Sequence, residues 1–139
     1  MVQNVNFDLV ELKESKIRGA GTGVFAATFI PAGTLIGPYR GRYMNAKTRA
    51  TVKDGRYIWK ISENRFVDAI DFPRDNPLRY VNGAKTPTQV KKINCEVRFI
   101  GEPGKEKVYY LITKNIPSGE ELIISYGKIY FKFEQKKRA

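Results

Sequence analysis

Gly119-Glu120-Glu121-Leu122-Ile123-Ile124-Ser125-Tyr126-Gly127, together with Arg79-Tyr80-Val81-Asn82 well upstream, is the stretch whose reading decides the fold. It is entered through Ile116-Pro117-Ser118-Gly119, a turn in which Pro presets φ and Gly takes positive φ. The apolar residues 122–124 that follow read as a short strand. Upstream, residues 76–81 read as a helical turn. The same turn chemistry occurs in Ile30-Pro31-Ala32-Gly33. Short apolar runs broken by Gly and Pro continue along the whole chain, which reads as mainly β. Expected strands are residues 9–12, 24–26, 35–39, 57–61, 66–68, 95–99, 108–113 and 122–124. In Cys95-Glu96-Val97-Arg98-Phe99 the alternation predicts one buried face. Gly101-Glu102-Pro103-Gly104-Lys105 reads as a hairpin tip. Helix is scarce: beyond 76–81 there is a short piece over 128–135, and residues 48–54 are a helix or a loop.

Length and composition bound the rest. A chain of 139 residues fits one domain and can bury a real core. There is no histidine, which excludes histidine acid–base catalysis, metal ligation and pH switching. The single cysteine, Cys95, can form neither an internal disulfide nor a zinc cluster. It reads as a small buried hydrophobe rather than a nucleophile, since no histidine exists to activate it. No run of ~18 apolar residues exists, so no transmembrane span is expected, and the N-terminus has no signal-peptide pattern. The formal net charge of +11 favours acidic partners, nucleic acid included. A soluble enzyme with a basic face gives the same count. Basic residues are scattered except for Lys136-Lys137-Arg138, which reads as a frayed, solvated tail rather than a nuclear signal. Eight Tyr, eight Phe and one Trp exceed what a minimal core needs, and tyrosine suits cleft walls.

Gly21-Thr22-Gly23-Val24-Phe25-Ala26 formally fits the dinucleotide fingerprint G-x-G-x-x-G/A. That reading fails, because the fingerprint needs a helix straight after the glycines and an acid about 20 residues on. Pro31 and Gly33 follow instead, and Gly41-Arg42-Tyr43-Met44 has no acid. What remains is a flexible turn, or a loop whose bare backbone lets a ligand approach.

Taken in order, Gly21-Thr22-Gly23-Val24-Phe25, Arg79-Tyr80-Val81-Asn82 and residues 119–127 resemble three segments of SET-domain protein lysine methyltransferases: G-x-G, R-F-I-N and G-E-E-L-x-x-x-Y-G. Each alone is a weak match, and three in order across one chain of this length is a strong one. The resemblance runs from about Asp8 to Tyr130. Gly37-Pro38-Tyr39-Arg40-Gly41 resembles the longer motif typical of the PR (PR/SET) branch. The implied fold is mainly β, a SET-domain fold of small curved sheets with a C-terminal pseudoknot and little helix. The implied organisation is a single domain over 1–139, with a core of about 8–130 and a basic tail at 131–139.

The resemblance also implies roles. S-adenosyl-L-methionine is the expected cofactor, with no metal. Gly21, Thr22 and Gly23 would lie against it, their main-chain groups holding its amino-acid end. Gly23 in particular is expected at positive φ on a surface loop. Tyr57, in Tyr57-Ile58-Trp59, would face the methyl donor or the channel. Arg79, Asn82 and Gly83 would belong to the adenosyl site. Gly83 and Ala84 replace the His and Ser of most members, and a backbone contact survives that change. Tyr39 would line the lysine channel, with Val97 as a wider wall where an aromatic often stands. Tyr126 matches the catalytic tyrosine, and Tyr130 keeps the Y-G-x-x-Y pattern. Phe131 and Phe133 either close the channel or pack the C-terminal helix. Plainer readings stand beside these. Tyr39 is also a strand-end core tyrosine, Tyr57 one of an alternating core pair, and Asn82 a turn residue.

The implied function is S-adenosylmethionine-dependent lysine N-methylation of a protein substrate, a histone tail or nucleosome foremost, in a nuclear or nucleocytoplasmic setting (the host nucleus for a viral protein). An electrostatic contact with nucleic acid is open, as is a homodimer, and no membrane partner is expected. Both a compact free-standing protein and a piece of a longer one fit. Two other classes compete: a PR-like interaction module with little or no catalysis, and a basic nucleic-acid-binding β domain. Salt-sensitive duplex binding would mark the last.

Overall fold

The computed structural model describes residues 4–125. Tyr126, Tyr130, Phe131, Phe133, the expected helix over 128–135 and the basic tail lie outside the described residues. Within them the protein is mainly β, as expected. Strands β1 (Val10–Glu14) and β2 (Thr22–Ala26) form an antiparallel pair, in register from Val10 opposite Ala26 to Glu14 opposite Thr22. Strands β4 (Arg42–Met44), β5 (Ile58–Ser62) and β6 (Arg65–Asp68) form an antiparallel sheet in the order β4-β6-β5. The third sheet takes β3 (Leu35–Ile36), β7 (Asn82–Gly83), β8 (Cys95–Ile100), β9 (Lys107–Ile112) and β10 (Ile123–Ser125), in the order β3-β9-β8-β10-β7. Helix among the described residues is limited to α1 (Ala46–Arg49), α2 (Pro87–Val90) and two 3₁₀ turns, Phe7–Leu9 and Pro77–Tyr80.

The hydrophobic pattern explains the layers. Along β9 the side chains alternate, and Val108, Tyr110 and Ile112 are almost fully buried. With Val24, Ile36, Val67, Leu78, Cys95 and Ile124 they form one core shared by the sheets. In β8 the alternation buries Cys95 and partly Val97, but Phe99 remains 39% exposed. The expected buried face therefore ends midway along the strand, where β8 runs out towards its hairpin with β9. That hairpin turns at residues 101–105 as expected, with Gly101 and Gly104 at positive φ.

The two look-alike turns prove to be partners. Ile30 and Ile116 form a reciprocal bridge, with N–H to carbonyl distances of 2.9 and 2.8 Å, and both are fully buried. Strand β3 stops at Ile36, short of the expected 35–39, because Gly37 turns to pair with Val5. Tyr39 is instead held by its own N–H, which donates to the Val108 carbonyl at 2.7 Å.

Strand β10 decides the topology of the site. It lies parallel to both β7 and β8, with Ile124 opposite Gly83 on one side and Cys95 on the other. The last described strand is thus inserted between two earlier ones.

Candidate active site

The segments that carry the resemblance converge. Residues 119–122 run antiparallel along β2: Gly119 donates to Ala26, Ala26 to Glu120, and Leu122 to Val24. This places the Glu121 carboxylate beside Ser15 and Asn82. Ser15 Oγ donates to it at 2.8 Å and Asn82 Nδ2 at 3.0 Å. The second Asn82 contact, Nδ2 to the Thr22 carbonyl at 3.4 Å, joins β7 to the glycine segment. Gly21–Gly23, Asn82–Gly83 and Glu121 therefore form one hydrogen-bonded cluster.

The two glycines of that cluster differ. Gly21 is exposed at φ +73°, with open space where a Cβ would stand. Gly23 is buried within β2 and is absent from the glycines at positive φ. A Cβ there would run into the Glu121 carboxylate and come within 3.1 Å of the Ser15 Cβ. The expectation of positive φ and a surface loop thus holds for Gly21 and is corrected for Gly23. Its missing side chain makes room for Glu121, a need set by a residue far along the chain.

The expected channel residues meet on the other side. Tyr39, 3% exposed, donates its hydroxyl to the Tyr57 carbonyl at 2.6 Å, and its ring stacks on Tyr110 at 6.3 Å. Trp59 meets Tyr110 edge-on at 6.0 Å and donates Nε1–H to its hydroxyl at 3.0 Å. Val97 is opposite Tyr110 in the β8–β9 pairing. Tyr39, Tyr57, Trp59, Val97 and Tyr110 thus make a continuous, largely apolar wall. Tyr110 escaped the sequence reading, because its position in an alternating strand looks like ordinary core.

Arg79 backs this wall. Its guanidinium stacks on Tyr57 at 4.0 Å and Tyr80 at 5.0 Å, and Nη1 donates to the carbonyls of Ala69 and Ile70 at 2.7 and 3.1 Å. Its Nε is buried and has no hydrogen-bond partner among the described residues.

Two buried asparagines, also missed, hold the two sides in place. Asn76 accepts from the Arg40 N–H at 3.1 Å and donates to the Arg40 carbonyl at 2.9 Å, pinning the Tyr39 segment to the turn before Asn82. Asn94 accepts from the Ile123 N–H and donates to the Glu121 carbonyl, each at 2.9 Å, fixing the entry to β10. Each amide mimics a strand edge, with one donor and one acceptor. Gly37 and Gly41 flank Tyr39 for a related reason. A Cβ on Gly37 would lie 2.5 Å from the Tyr109 ring, and one on Gly41 2.5 Å from the Asp68 carbonyl. Cys95 is fully buried, which pushes its thiol far above the ordinary range, so it is no nucleophile.

These residues fit S-adenosylmethionine. An adenine edge asks for one donor and one acceptor. Among the described residues β7 is the outer strand of its sheet, so outward main-chain groups of Asn82 and Gly83 have no strand partner there. An amino-acid end asks for bare backbone, which exposed Gly21 and Thr22 offer beside Asn82. Among the described residues no three Cys, Asp or Glu side chains are grouped to hold a metal ion. No helix among them is long and apolar enough to cross a membrane.

This arrangement of a glycine segment, an edge strand and an inserted last strand defines a SET-like domain. Residues 10–137 match the family described as PR domain zinc finger protein 2, PR domain, and the chain belongs to the PR domain family. It is 37% identical over 125 residues to histone-lysine N-methyltransferase set-17 of Caenorhabditis elegans, covering 88% of this chain and 42% of that protein. It is 30% identical over 115 residues to PR domain zinc finger protein 14 of Mus musculus, covering 80% and 19%. The chain thus spans less than half the length of these curated relatives. Among solved structures, the methyltransferase domain of human PR domain-containing protein 2 superposes with a TM-score of 0.66 at 29% identity, over 86% of this chain and 77% of that one. A chain of ctPRC2 in complex with H3K27me3 and H3K27M gives 0.68 at 25% identity, over 86% and 14%.

Proposed function

We propose that this protein is an S-adenosylmethionine-dependent protein-lysine N-methyltransferase that acts on a histone-tail lysine in the nucleus. The observation that carries the reading is the convergence at β10. The segment entering β10 brings Glu121 to Asn82, and β10 itself pairs Ser125 with Glu96, the sequence neighbour of Val97 in the aromatic wall. When bound, the cofactor supplies a methyl group on a sulfonium, open to in-line attack by an amine. Gly21, Thr22, Asn82 and Gly83 hold and orient it through backbone groups. The wall of Tyr39, Tyr57, Trp59, Val97 and Tyr110 receives the lysine. Its low polarity disfavours the ammonium form and so lowers a lysine pKa that is ~10.4 in water. The same rings attract a methylated ammonium by cation–π interaction, worth about 0.5–2 kcal/mol. Tyr126, assigned from sequence, orients the amine lone pair, and solvent carries the proton away. No histidine is needed. The names of the relatives, two of them methyltransferases, support this reading.

The test is titration calorimetry with S-adenosylmethionine, followed by mass spectrometry of core histones incubated with protein and cofactor. Saturable binding and a 14-Da increment on lysine, the mass of one CH₂ (about 14 by composition), are expected. Absence of binding at millimolar cofactor would instead favour a PR-like interaction module.

A further inference from the structure

A second concave site lies away from the aromatic wall and shares Glu121 with the polar cluster. It is a cavity of about 470 Å³ between the turn at Lys16–Ile17, the segment following α2 and the loop at Lys114–Asn115. Four lysines line it: Lys16, Lys91, Lys92 and Lys114. All four are exposed, and none forms an ion pair among the described residues, whereas Lys13, Lys60 and Lys105 do. Two carboxylates also line it, Glu120 and Glu121. Glu121 already accepts from Ser15 and Asn82. The frame is fixed: Ile17 N–H bonds Ser15 Oγ, which bonds Glu121, whose carbonyl bonds the buried Asn94 next to the lysine pair. Lys114 Nζ lies 3.4 Å from the Lys91 carbonyl.

We infer that this cavity is a contact site for the phosphate backbone of duplex DNA. Four ammonium groups outnumber the two carboxylates of the lining, and Glu121 is already bonded to Ser15 and Asn82, so the concavity keeps a net positive potential that favours an anion. The cofactor does not suit it, since a sulfonium and an ammonium against one carboxylate leave it a net cation. Among the described residues the lining contains no aromatic ring, so they offer no stacking platform for single-stranded bases. It contains no arginine either, and lysine binds phosphate as a point charge without the bidentate fork that reads guanine. The chemistry is sequence-independent backbone contact. The choice of DNA over an RNA duplex rests on the histone reading above; the phosphate contact itself does not.

The test is fluorescence anisotropy of the full chain with a short labelled DNA duplex of random sequence, titrated at several salt concentrations without cofactor or histone. Each phosphate contact contributes about −0.9 to the slope of log K against log[salt]. The quadruple variant K16Q/K91Q/K92Q/K114Q should flatten that slope by about 3 and weaken low-salt binding by about tenfold or more. The variant K47Q/K53Q/K60Q/K105Q removes the same charge elsewhere and should keep the slope. If the first variant melts early, single replacements serve, each flattening the slope by about 1. Equal loss in the two quadruple variants would overturn the assignment, as would single strands binding as tightly as duplex, tighter binding of an RNA duplex, or equal competition by an acidic peptide. Because no methyl transfer is measured, an inactive enzyme leaves this result readable.

Discussion

Around Glu121 the chain is joined by hydrogen bonds, and around Tyr110 it is joined by rings. On the first side Ser15, Asn82 and Asn94 each bond to Glu121, with Gly23 making room for its carboxylate. On the second, Tyr39 and Trp59 pack on Tyr110, and one buried asparagine, Asn76, fixes the segment that carries Tyr39. The difference follows from the tasks proposed for the two sides. A polar cofactor is held by main-chain groups, which must be locked in place by other polar groups. A lysine is made reactive by losing water, which asks for an apolar wall.

The sharpest way to break this comparison is at Gly23. Gly23→Val should destabilise the fold by about 1–3 kcal/mol through overpacking against Glu121 and Ser15. Gly21→Ala should cost only the left-handed φ, about 1–2 kcal/mol, and leave the cluster intact. Urea denaturation of both variants measures this, and an unchanged midpoint for Gly23→Val would show that Glu121 is not confined there.

The two asparagines come next. Asn94→Ala and Asn76→Ala each leave one main-chain N–H and one carbonyl without a partner, at about 1–3 kcal/mol. Their functional effects should separate. Asn94→Ala should weaken cofactor binding through β10 and Glu121. Asn76→Ala should leave cofactor affinity near wild type and impair lysine methylation through Tyr39. Calorimetry beside turnover would expose the opposite pattern. Tyr39→Phe is milder: it removes the hydroxyl bond to the Tyr57 carbonyl, worth about 1 kcal/mol. Product analysis should show a changed number of methyl groups per lysine, at unchanged cofactor affinity.

The smallest effect concerns Cys95. Burial raises its thiol far above the ordinary 9.0, so the folded chain keeps a proton that the unfolded chain releases. Its contribution is constant below pH 9 and falls as pH rises above that value. Tyr43, raised from 10.0 chiefly by burial, adds the same sign one pH unit higher. Between pH 9 and 10, Cys95→Ala should therefore lose stability with a shallower slope than wild type. Parallel slopes in alkaline urea melts would refute the burial argument.

Most of the β architecture was legible because apolar alternation and Gly–Pro turns are local signals. Every expected strand has a counterpart among the described residues, up to shifted ends. What escaped was set from afar. Strand β7 is two residues, one of them Gly83, and exists because β10 lies beside it. Strand β4 is only three residues long, too short for an alternating pattern to mark it, and is defined by its pairing with β6. Gly23 looked like a loop glycine because nothing nearby in sequence reveals Glu121. The donor-side cluster was readable as separate motifs, whereas Tyr110, Asn76 and Asn94 as pinning or wall residues needed the register. The resemblance named Tyr126 and Tyr130, which lie outside the described residues.

The central claim is that one side of this site holds the cofactor while the other directs a lysine at it. Steady-state methylation of core histones with labelled cofactor, run for wild type and Tyr126→Phe beside cofactor calorimetry, tests it most directly. The account predicts methylation by wild type, turnover lower by about 10²-fold in the variant, and cofactor affinity and melting temperature nearly unchanged. Near-wild-type turnover in Tyr126→Phe, or equal loss of turnover and thermal stability, would contradict it.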